Sequence, residues 1–251
     1  MKDDLVYTGR LLSGYEKAER GYWWFTARRR IIMLMVDRYL PSRGGRVLDI
    51  GCGPGTTLGE WEKRGKGFGL DRSHEAARMA GKKNGNRAVQ GDATRLPFKA
   101  GSFDIVASLD VLEHLDDPEA SLEEMNRVCR PGGMAVITVP AYQFLYHPCG
   151  DYGHRKRYIG KEVRGMVEGK GFRVIRLTYF NTFFFPLMAL QRLFGSREPG
   201  DRDLVDAVLP RLPRVINRSM DLIFGSEAYF LRAFDFPFGG SILCICEKSR
   251  T

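Results

Sequence analysis

A regular alternation of short apolar runs and helix-like stretches between residues 46 and 139 constrains the fold of this 251-residue chain more than any other feature. The runs that we expect as strands are Arg46–Ile50, Gly67–Leu70, Arg87–Gln90, Phe103–Leu109 and Met134–Val139. The stretches between them predict helices at Thr56–Arg64, at Ser73 to about Ala80, and at about 118–130. Strands that alternate with helices of this length form a mostly parallel sheet with helices on both faces.

Further elements flank this alternation. From Trp24 to Tyr39 apolar residues recur at helical spacing, until Pro41 ends the pattern. After residue 140 we expect a polar and aromatic loop at 141–159, a helix at 160–169, a strand at 172–179, helices at 186–194 and 213–224, and a strand at 240–247. These elements predict an N-terminal helical cap at 1–45, a core at 46–180, a helical insertion at 181–235, and a last strand within 236–251 that completes the sheet.

Composition and charge limit the cellular compartments in which we expect the protein and the classes of partner that it can bind. The chain has 43% hydrophobic residues, enough for a core, and a net charge of +9, which either favours anionic partners or is a basic solvated surface. Its five cysteines are scattered without a CxxC pair, and no apolar run of signal-peptide type follows the N-terminus. We therefore expect a reduced, cytoplasmic protein. The longest apolar run, Phe183–Leu190, is too short to span a bilayer.

A glycine-rich turn joins the first predicted strand to the first helix. Gly51, Gly53 and Gly55 follow the strand at G-x-G-x-G spacing, and Asp49 precedes the first glycine by two residues. Glycines let the backbone turn sharply and approach a ligand closely. A pyrophosphate-binding turn has G-x-G-x-x-G spacing instead. The carboxylate of Asp49 favours a ligand that carries an ammonium group.

Two more acids end the next two predicted strands. Asp71 ends the second strand, where a carboxylate accepts hydrogen bonds from ribose hydroxyls. Asp92 follows the third strand, where it is placed to accept from an adenine amine. Each acid has an ordinary alternative role as a helix N-cap or a polar strand end. The three acids in this register, with the glycines, favour a nucleoside site at the carboxyl edge of the sheet.

The stretches Val47–Gly55, Gln90–Phe98 and Phe103–Leu115, with the turn Arg130–Gly133, resemble the class I S-adenosylmethionine (SAM) dependent methyltransferases, in particular the type 11 group. The resemblance implies a Rossmann-like seven-stranded sheet of order 3-2-1-4-5-7-6 with the last strand antiparallel. It also implies SAM as the cofactor and S-adenosylhomocysteine as the product. The cofactor residues that we expect are Asp49, Gly51, Gly53, Gly55, Asp71, Arg72, Asp92, Ala93, Ser108 and Leu109. If the aromatic run of the cap is a lid, Arg28 or Arg29 reaches the SAM carboxylate, and Arg28 is the residue that we expect there.

The candidates for proton removal from an acceptor are His154, His114 and Tyr22. His154 lies in the loop after the fifth strand, beside basic residues that suit an anionic acceptor. Its alternative is a basic surface turn, and the alternative for His114 is a packing role at the start of a helix. His147, in the same loop, is a weaker candidate. No cluster of metal ligands is visible at metal-site spacing, and we expect no metal.

Two segments outside the core have more than one interpretation. The aromatic run Tyr22–Phe25 is either a lid over the cofactor or a helix start docked on the core. In the insertion, Val215, Ile216, Met220, Ile223 and Phe224 share one helical face, opposite Arg214, Asn217, Arg218 and Asp221. That apolar face either covers the core, a pocket or a dimer interface, which we favour, or it rests on an anionic bilayer.

The sequence therefore predicts a SAM-dependent methyltransferase that acts on a small molecule, most simply at oxygen, such as a saccharide, a lipid-linked glycan or a secondary metabolite. An anionic or lipid-linked acceptor and peripheral membrane contact stay open. A SAM-binding regulator or partner subunit without transfer activity is the alternative. A nicotinamide-dependent oxidoreductase is disfavoured by the glycine spacing, and a nucleic-acid acceptor by dispersed basic residues.

Overall fold

The computed structural model describes residues 9–40, 44–146, 153–194 and 212–250. Its strands are β1 (Gly45–Ile50), β2 (Gly65–Asp71), β3 (Ala88–Gln90), β4 (Phe103–Leu109), β5 (Cys129–Pro140), β6 (Phe172–Phe180) and β7 (Ser241–Lys248). Its α-helices are α1 (Gly9–Gly21), α2 (Trp23–Tyr39), α3 (Leu58–Trp61), α4 (His74–Lys83), α5 (Pro118–Val128), α6 (Gly160–Gly169), α7 (Phe185–Phe194) and α8 (Arg214–Phe230). His147 and the insertion residues 195–211 lie outside the described residues.

The seven strands form one sheet in the order β3-β2-β1-β4-β5-β7-β6. Strands β1 to β5 pair in parallel, and β7 runs antiparallel to both of its neighbours, β5 and β6. The predicted Rossmann-like sheet order is confirmed, with the last strand antiparallel. Because β1 to β5 run in one direction, the loops that follow them meet at one edge of the sheet, where ligands bind in such folds.

Alternation along the strands divides the core into two layers. In β1 the Leu48 side chain packs on one face of the sheet against α5 and α6, while Val47 packs on the other face against α2 and α8. Both residues are almost completely buried. A sheet covered on both faces needs strands that are apolar throughout, which explains why β4, β5 and β7 appear as continuous apolar runs.

A local signal explains the start of α4, while several boundaries differ from the prediction, among them the end of α8 at Phe230 and not at residue 224. Ser73 caps α4 by accepting the Ala76 N–H, as expected for a helix starting there. The helix predicted at Thr56–Arg64 is confined to Leu58–Trp61, because i→i+3 bonds tighten the chain on either side into turns. Strand β5 begins at Cys129, before the predicted Met134, because Cys129 already pairs with Phe103 across an irregularity in the ladder.

Helix α8 packs on α2 through its polar side. The Asn217 side chain accepts the Trp23 N–H at 3.0 Å, and Asp221 accepts from the Thr26 hydroxyl at 2.6 Å and pairs with Arg30 at 2.7 Å. The interpretation that the apolar face of this helix covers the core is therefore wrong for most of that face. Phe224 alone of the five apolar residues in that pattern is fully buried.

Among the described residues, no helix is both long enough and apolar enough to cross a bilayer. Cys52, Cys129, Cys244 and Cys246 are buried free thiols, and Cys149 lies outside the described residues.

Candidate active site

The glycine turn after β1 is built for close approach. Gly51 has φ +69°, and a Cβ there would lie 2.4 Å from Val111, so its absence allows the chain to pack. Gly53 also has a positive φ, of +52°, but a Cβ there would meet nothing within 4 Å. The two glycines therefore have different roles. Gly51 lets the chain pack closely against Val111, and Gly53 lies beside open space that a ligand can occupy.

Asp71 at the end of β2 is fixed by the backbone around the turn. Its Oδ2 accepts the Gly53 N–H at 2.9 Å, and its Oδ1 accepts the Ser73 N–H at 2.8 Å. Burial raises the pKa of this carboxyl, while these two hydrogen bonds oppose the shift. The carboxylate is thus held rigidly next to the ligand-facing glycine, and each oxygen has a second lone pair left for a ligand hydroxyl.

Asp92 and its neighbours lie at the carboxyl edge of the sheet, just after β3. Asp92 is exposed, and its Oδ1 accepts from both the N–H and the hydroxyl of Thr94, each at 2.8 Å. These bonds lower the pKa of Asp92, so it is an ionised acceptor at neutral pH. Ala93 is buried beside it, and Arg72, at the end of β2, has an exposed side chain.

Asp49 is the most perturbed acid of the turn. It is 2% exposed, and its Oδ2 accepts no hydrogen bond within the described part of the chain. Burial and then the nearby negative charge of Glu19 raise the pKa of Asp49 to about 8. A buried carboxyl with an unsatisfied oxygen and a second acid nearby is a site that a cation would stabilise.

Glu19 of α1 is a further candidate site residue, which the sequence patterns did not indicate. Its Oε2 is shielded from solvent and accepts no hydrogen bond from the described residues, and burial raises its pKa despite the positive charges of Arg28 and Arg29. Helix α1 lies across the turn because Glu16 pairs with Lys83 at 2.9 Å. No sequence signal placed Glu19 there, because 30 residues separate it from Asp49 and helical spacing alone does not say where a helix docks.

Arg28 ties the cap to the ends of β4 and β5. Its Nη2 lies 2.7 Å from the Asp110 carboxylate and donates to the Thr138 hydroxyl at 2.7 Å. Thr138 in turn donates to Asp110 at 2.8 Å. The guanidinium also lies over the Trp24 ring, 5.5 Å from its centroid. Arg28 is therefore anchored at the carboxyl edge, while its Nε is buried with no partner among the described residues.

Ser108 and Leu109 end β4 beside the glycine turn. Ser108 lies opposite Ile50 in the β1–β4 ladder and is fully buried, and its hydroxyl has no partner in the described part of the chain. Leu109 is partly buried and packs against the layer that holds α2. The two residues close one side of the turn.

The structure brings His154 and His114 together with the buried Glu113. The two imidazole rings lie edge to face with centroids 4.6 Å apart, and Nε2 of His154 lies 3.9 Å from Oε1 of Glu113. The loop that carries His154 is held there because the Arg155 N–H donates to the Glu113 carbonyl at 2.7 Å. Glu113 was missed although it directly precedes His114 in the motif Phe103–Leu115.

Burial is the main cause of the raised pKa of Glu113. Its carboxyl is 1% exposed, and burial, followed by the negative charge of Asp110, raises its pKa well above the usual range. An imidazolium at His154 would oppose that shift, because an opposite charge favours the ionised carboxylate.

The expectation that His and carboxylate ligands do not cluster is wrong for this group. One ligand atom from each of Glu113, His114 and His154 lies within 4.8 Å of the other two. The sequence did not show this because 40 residues separate the two histidines. The same three side chains can orient a base or hold a divalent ion.

The aromatic run at the start of α2 packs against the loop after β6 and against α8. The Trp23 ring packs against Phe184 and Phe224, with centroids 5.0 and 5.9 Å away. Tyr22 precedes α2, is partly buried, and has its ring 5.9 Å from that of Trp23. The docking interpretation is therefore confirmed for Trp23, while the part of Tyr22 in a lid stays a prediction.

The chain is similar to known methyltransferases in sequence. The model of the family described as "Methyltransferase domain" matches residues 48–137, which hold the glycine turn, Asp71, Asp92 and Glu113. A methyltransferase of Mycolicibacterium gilvum is 31% identical over 188 residues, which are 65% of this chain and 74% of the relative. A 37.1 kDa protein of transposon TN4556 from Streptomyces fradiae is 30% identical over 74% of this chain. The chain spans 60% of the Streptomyces protein and 39% of several mycobacterial methyltransferases that it also matches.

Among solved structures, the Haemonchus contortus phosphoethanolamine N-methyltransferase 2, bound to phosphomonomethylethanolamine and S-adenosylhomocysteine, has the same fold. It superposes with a TM-score of 0.62 at 18% identity, over 98% of this chain and 59% of its own. The glycine turn, the orphaned Asp49 oxygen and the fixed Asp71 carboxylate fit a nucleoside that carries an ammonium group, as SAM does. The chain belongs to the class I SAM-dependent methyltransferases of the type 11 group.

Proposed function

We propose that the protein transfers a methyl group to a hydroxyl of a small-molecule acceptor, with His154 as the base that removes the hydroxyl proton. The observation that carries this proposal is the cluster of His154, His114 and buried Glu113 at the same sheet edge as the glycine turn. Arg28 connects the two parts, because its charge acts on both Asp49 and Glu113.

SAM supplies an electrophilic methyl group on a positively charged sulfur, and the protein holds and orients both reactants. Asp71 and Asp92 would hold the ribose and adenine as acceptors, and Asp49 with Glu19 would hold the ammonium group. Arg28, through its unused Nε, would face the SAM carboxylate. Ordered reactants lower the barrier because the entropy of bringing them together is lost on binding.

The acceptor side favours a hydroxyl because it offers a proton acceptor. A hydroxyl nucleophile must lose its proton during transfer, and a positioned imidazole supplies that step. The proton moves from the hydroxyl to the neutral imidazole of His154, which lies 3.9 Å from the carboxyl of Glu113. The carbonyl of Gly153 lies 3.1 Å from Nδ1 of His114 and fixes the second ring.

The basic loop around the cluster supports an anionic acceptor. Arg155, Lys156 and Arg157 follow His154 directly, and Arg155 pairs with Asp116 at 2.7 Å. Guanidinium groups at such a position bind phosphate or carboxylate well. A regulator that binds SAM without transfer is the second candidate, since the cofactor residues alone do not require catalysis.

The test is calorimetric titration with SAM and with S-adenosylhomocysteine, followed by labelled SAM with candidate acceptors that carry a hydroxyl near an anionic group. We expect both cofactor forms to bind at micromolar concentration and label to reach an oxygen of the acceptor. Label on nitrogen would refute the oxygen assignment. Binding without transfer to any acceptor class would support the regulator. No binding of either form would contradict both.

Replacing Asp71 with alanine should weaken SAM binding by roughly 1–3 kcal/mol, the usual loss for hydrogen bonds to a charged group. The same loss should appear with 5′-methylthioadenosine, because that nucleoside keeps the ribose and lacks the amino-acid end. Calorimetry on both ligands measures the effect, and circular dichroism checks the fold. Unchanged affinity for both ligands in a folded variant would exclude Asp71 from the ribose site.

A further inference from the structure

Helix α8 presents an apolar face to solvent. Val215, Leu222 and Tyr229 are spaced seven residues apart, so they form one row along the helix, and they are 78%, 58% and 69% exposed. Ile216, Ile223 and Phe230 form an adjacent exposed row. We call these six residues the outer face of α8. The helix has 17 residues, so the outer face extends for about 25 Å.

The orientation of α8 reverses the usual rule for a surface helix, whose polar side faces water. Its polar side chains Asn217 and Asp221 are used to bind α2, as described above, and Glu227 is fully buried, where it accepts the Phe183 N–H at 2.8 Å. The helix is therefore fixed with the six apolar residues of the outer face outward and with Phe224 inward. Such a face costs free energy in water unless something covers it.

The exposed charges of α8 itself have one sign. Both carboxylates of α8, Asp221 and Glu227, face the protein. The exposed charges on the helix are Arg214 and Arg218, and Arg232 follows its end. Beyond the helix, the exposed Asp235 is paired with Arg176 at 2.5 Å. An apolar helix face that is bordered by arginines and carries no exposed carboxylate of its own complements a surface that is apolar inside and anionic outside.

The apolar surface continues beyond the helix. The ring centroid of Phe183, in the loop after β6, lies 5.6 Å from that of Phe230, and the ring centroid of Phe234 lies 6.2 Å from that of Phe230. Phe183 and Phe234 are both substantially exposed. Since the loop after β6 leaves the sheet at the same edge as the loops of the active site, the apolar surface reaches toward the acceptor side.

We propose that the outer face of α8 binds an anionic lipid bilayer, with the helix lying in the plane of the membrane surface. The six apolar side chains enter the boundary between headgroups and acyl chains, and Arg214, Arg218 and Arg232 contact lipid phosphates. The enzyme then meets its acceptor at a membrane surface, so a lipid-linked hydroxyl compound is the acceptor class that this geometry serves. The binding itself does not depend on methyl transfer.

The experiment is co-sedimentation of the full chain with vesicles of phosphatidylcholine alone and of phosphatidylcholine mixed with phosphatidylglycerol. We expect binding to the anionic vesicles and much weaker binding to the neutral ones. The double variant Leu222→Ser and Ile223→Ser should lower the partition coefficient on anionic vesicles about tenfold or more, because it removes apolar area without changing charge. Serine suits this face, since Ser219 is already exposed there.

The matched control is Ile159→Ser, which removes an exposed isoleucine just before α6, away from the outer face. It should leave vesicle binding unchanged. Arg214→Gln with Arg218→Gln should weaken binding to anionic vesicles about tenfold and leave neutral vesicles unaffected. Circular dichroism and thermal melting confirm that each variant is folded.

Wild-type protein that stays in the supernatant with both kinds of vesicle overturns the proposal. Equal loss of binding in the Ile159→Ser control also overturns it, because the loss would then be unspecific. Analytical ultracentrifugation identifies the competing occupant. A dimer that the Leu222→Ser and Ile223→Ser variant converts to monomer, with no vesicle binding by the wild type, assigns the outer face to a second copy of this chain.

Discussion

Replacing His154 with alanine is expected to lower turnover about a hundredfold or more and to leave SAM affinity nearly unchanged, because a positioned base contributes to proton removal and not to cofactor binding. His154 lies on the acceptor side of the edge, 3.9 Å from Glu113, whereas the acids around the glycine turn belong to other loops. Turnover with labelled SAM and calorimetry with SAM separate the two effects.

The control for this variant is His74→Ala, which removes an exposed histidine at the start of α4. It should retain full turnover. Full activity in His154→Ala would remove His154 from the proposed chemistry and would direct attention to His114 and Tyr22. A large loss of SAM affinity in His154→Ala would show that the loop is structural instead.

Chelation distinguishes the two roles that this cluster can serve. If His154 is the base, treatment with a strong chelator leaves turnover unchanged, and Glu113→Gln shifts the pH profile of turnover because it removes the titratable carboxyl beside the imidazole. If the three side chains hold a divalent ion, the chelator abolishes turnover and added metal restores it. In that case His114→Ala should be as damaging as His154→Ala, since each removes one ligand.

The sheet was predictable from the sequence because β4, β5 and β7 are continuous apolar runs and because some of the helices between strands have a local start signal. Ser73 as an N-cap and the proline after Asp117 each mark the start of a helix, and both signals lie in the sequence next to the helix that they start. Where non-local pairing decides a boundary, prediction failed. The early start of β5 depends on the pairing of Cys129 with Phe103, which no local pattern reveals.

The orientation of α8 was not predictable for a related reason. An amphipathic pattern shows that a helix has two faces, and the hydrophobic effect alone places the apolar face inward. The specific contacts of Asn217 and Asp221 with α2 outweigh that tendency, and they join residues almost 200 positions apart. The acids of the glycine turn were found because strand ends meet at one edge, whereas Glu19 comes from a helix whose docking the sequence does not fix.

Binding of SAM at about pH 6.5 is expected to release close to one proton from the protein, because the pKa of Asp49 is raised to about 8 by burial and by Glu19. Below that pH the free carboxyl is protonated, and an ammonium group bound beside it favours the ionised form. Affinity should therefore rise as pH increases from about 6 to about 7.5, and then level as an α-amino group begins to lose its own proton. Calorimetry in buffers with different ionisation enthalpies counts the proton.

Ligand and variant controls assign this proton to Asp49. The nucleoside 5′-methylthioadenosine lacks the ammonium group, so its binding should release no proton and its affinity should not vary over the same pH range. Asp49→Asn should abolish the release and weaken SAM about tenfold or more, since a buried charge pair is lost. Glu19→Gln removes the charge that helps to raise the pKa of Asp49, so it should move the pH dependence to lower pH without abolishing it. A SAM affinity that is independent of pH in the wild type would show that Asp49 does not receive the ammonium group.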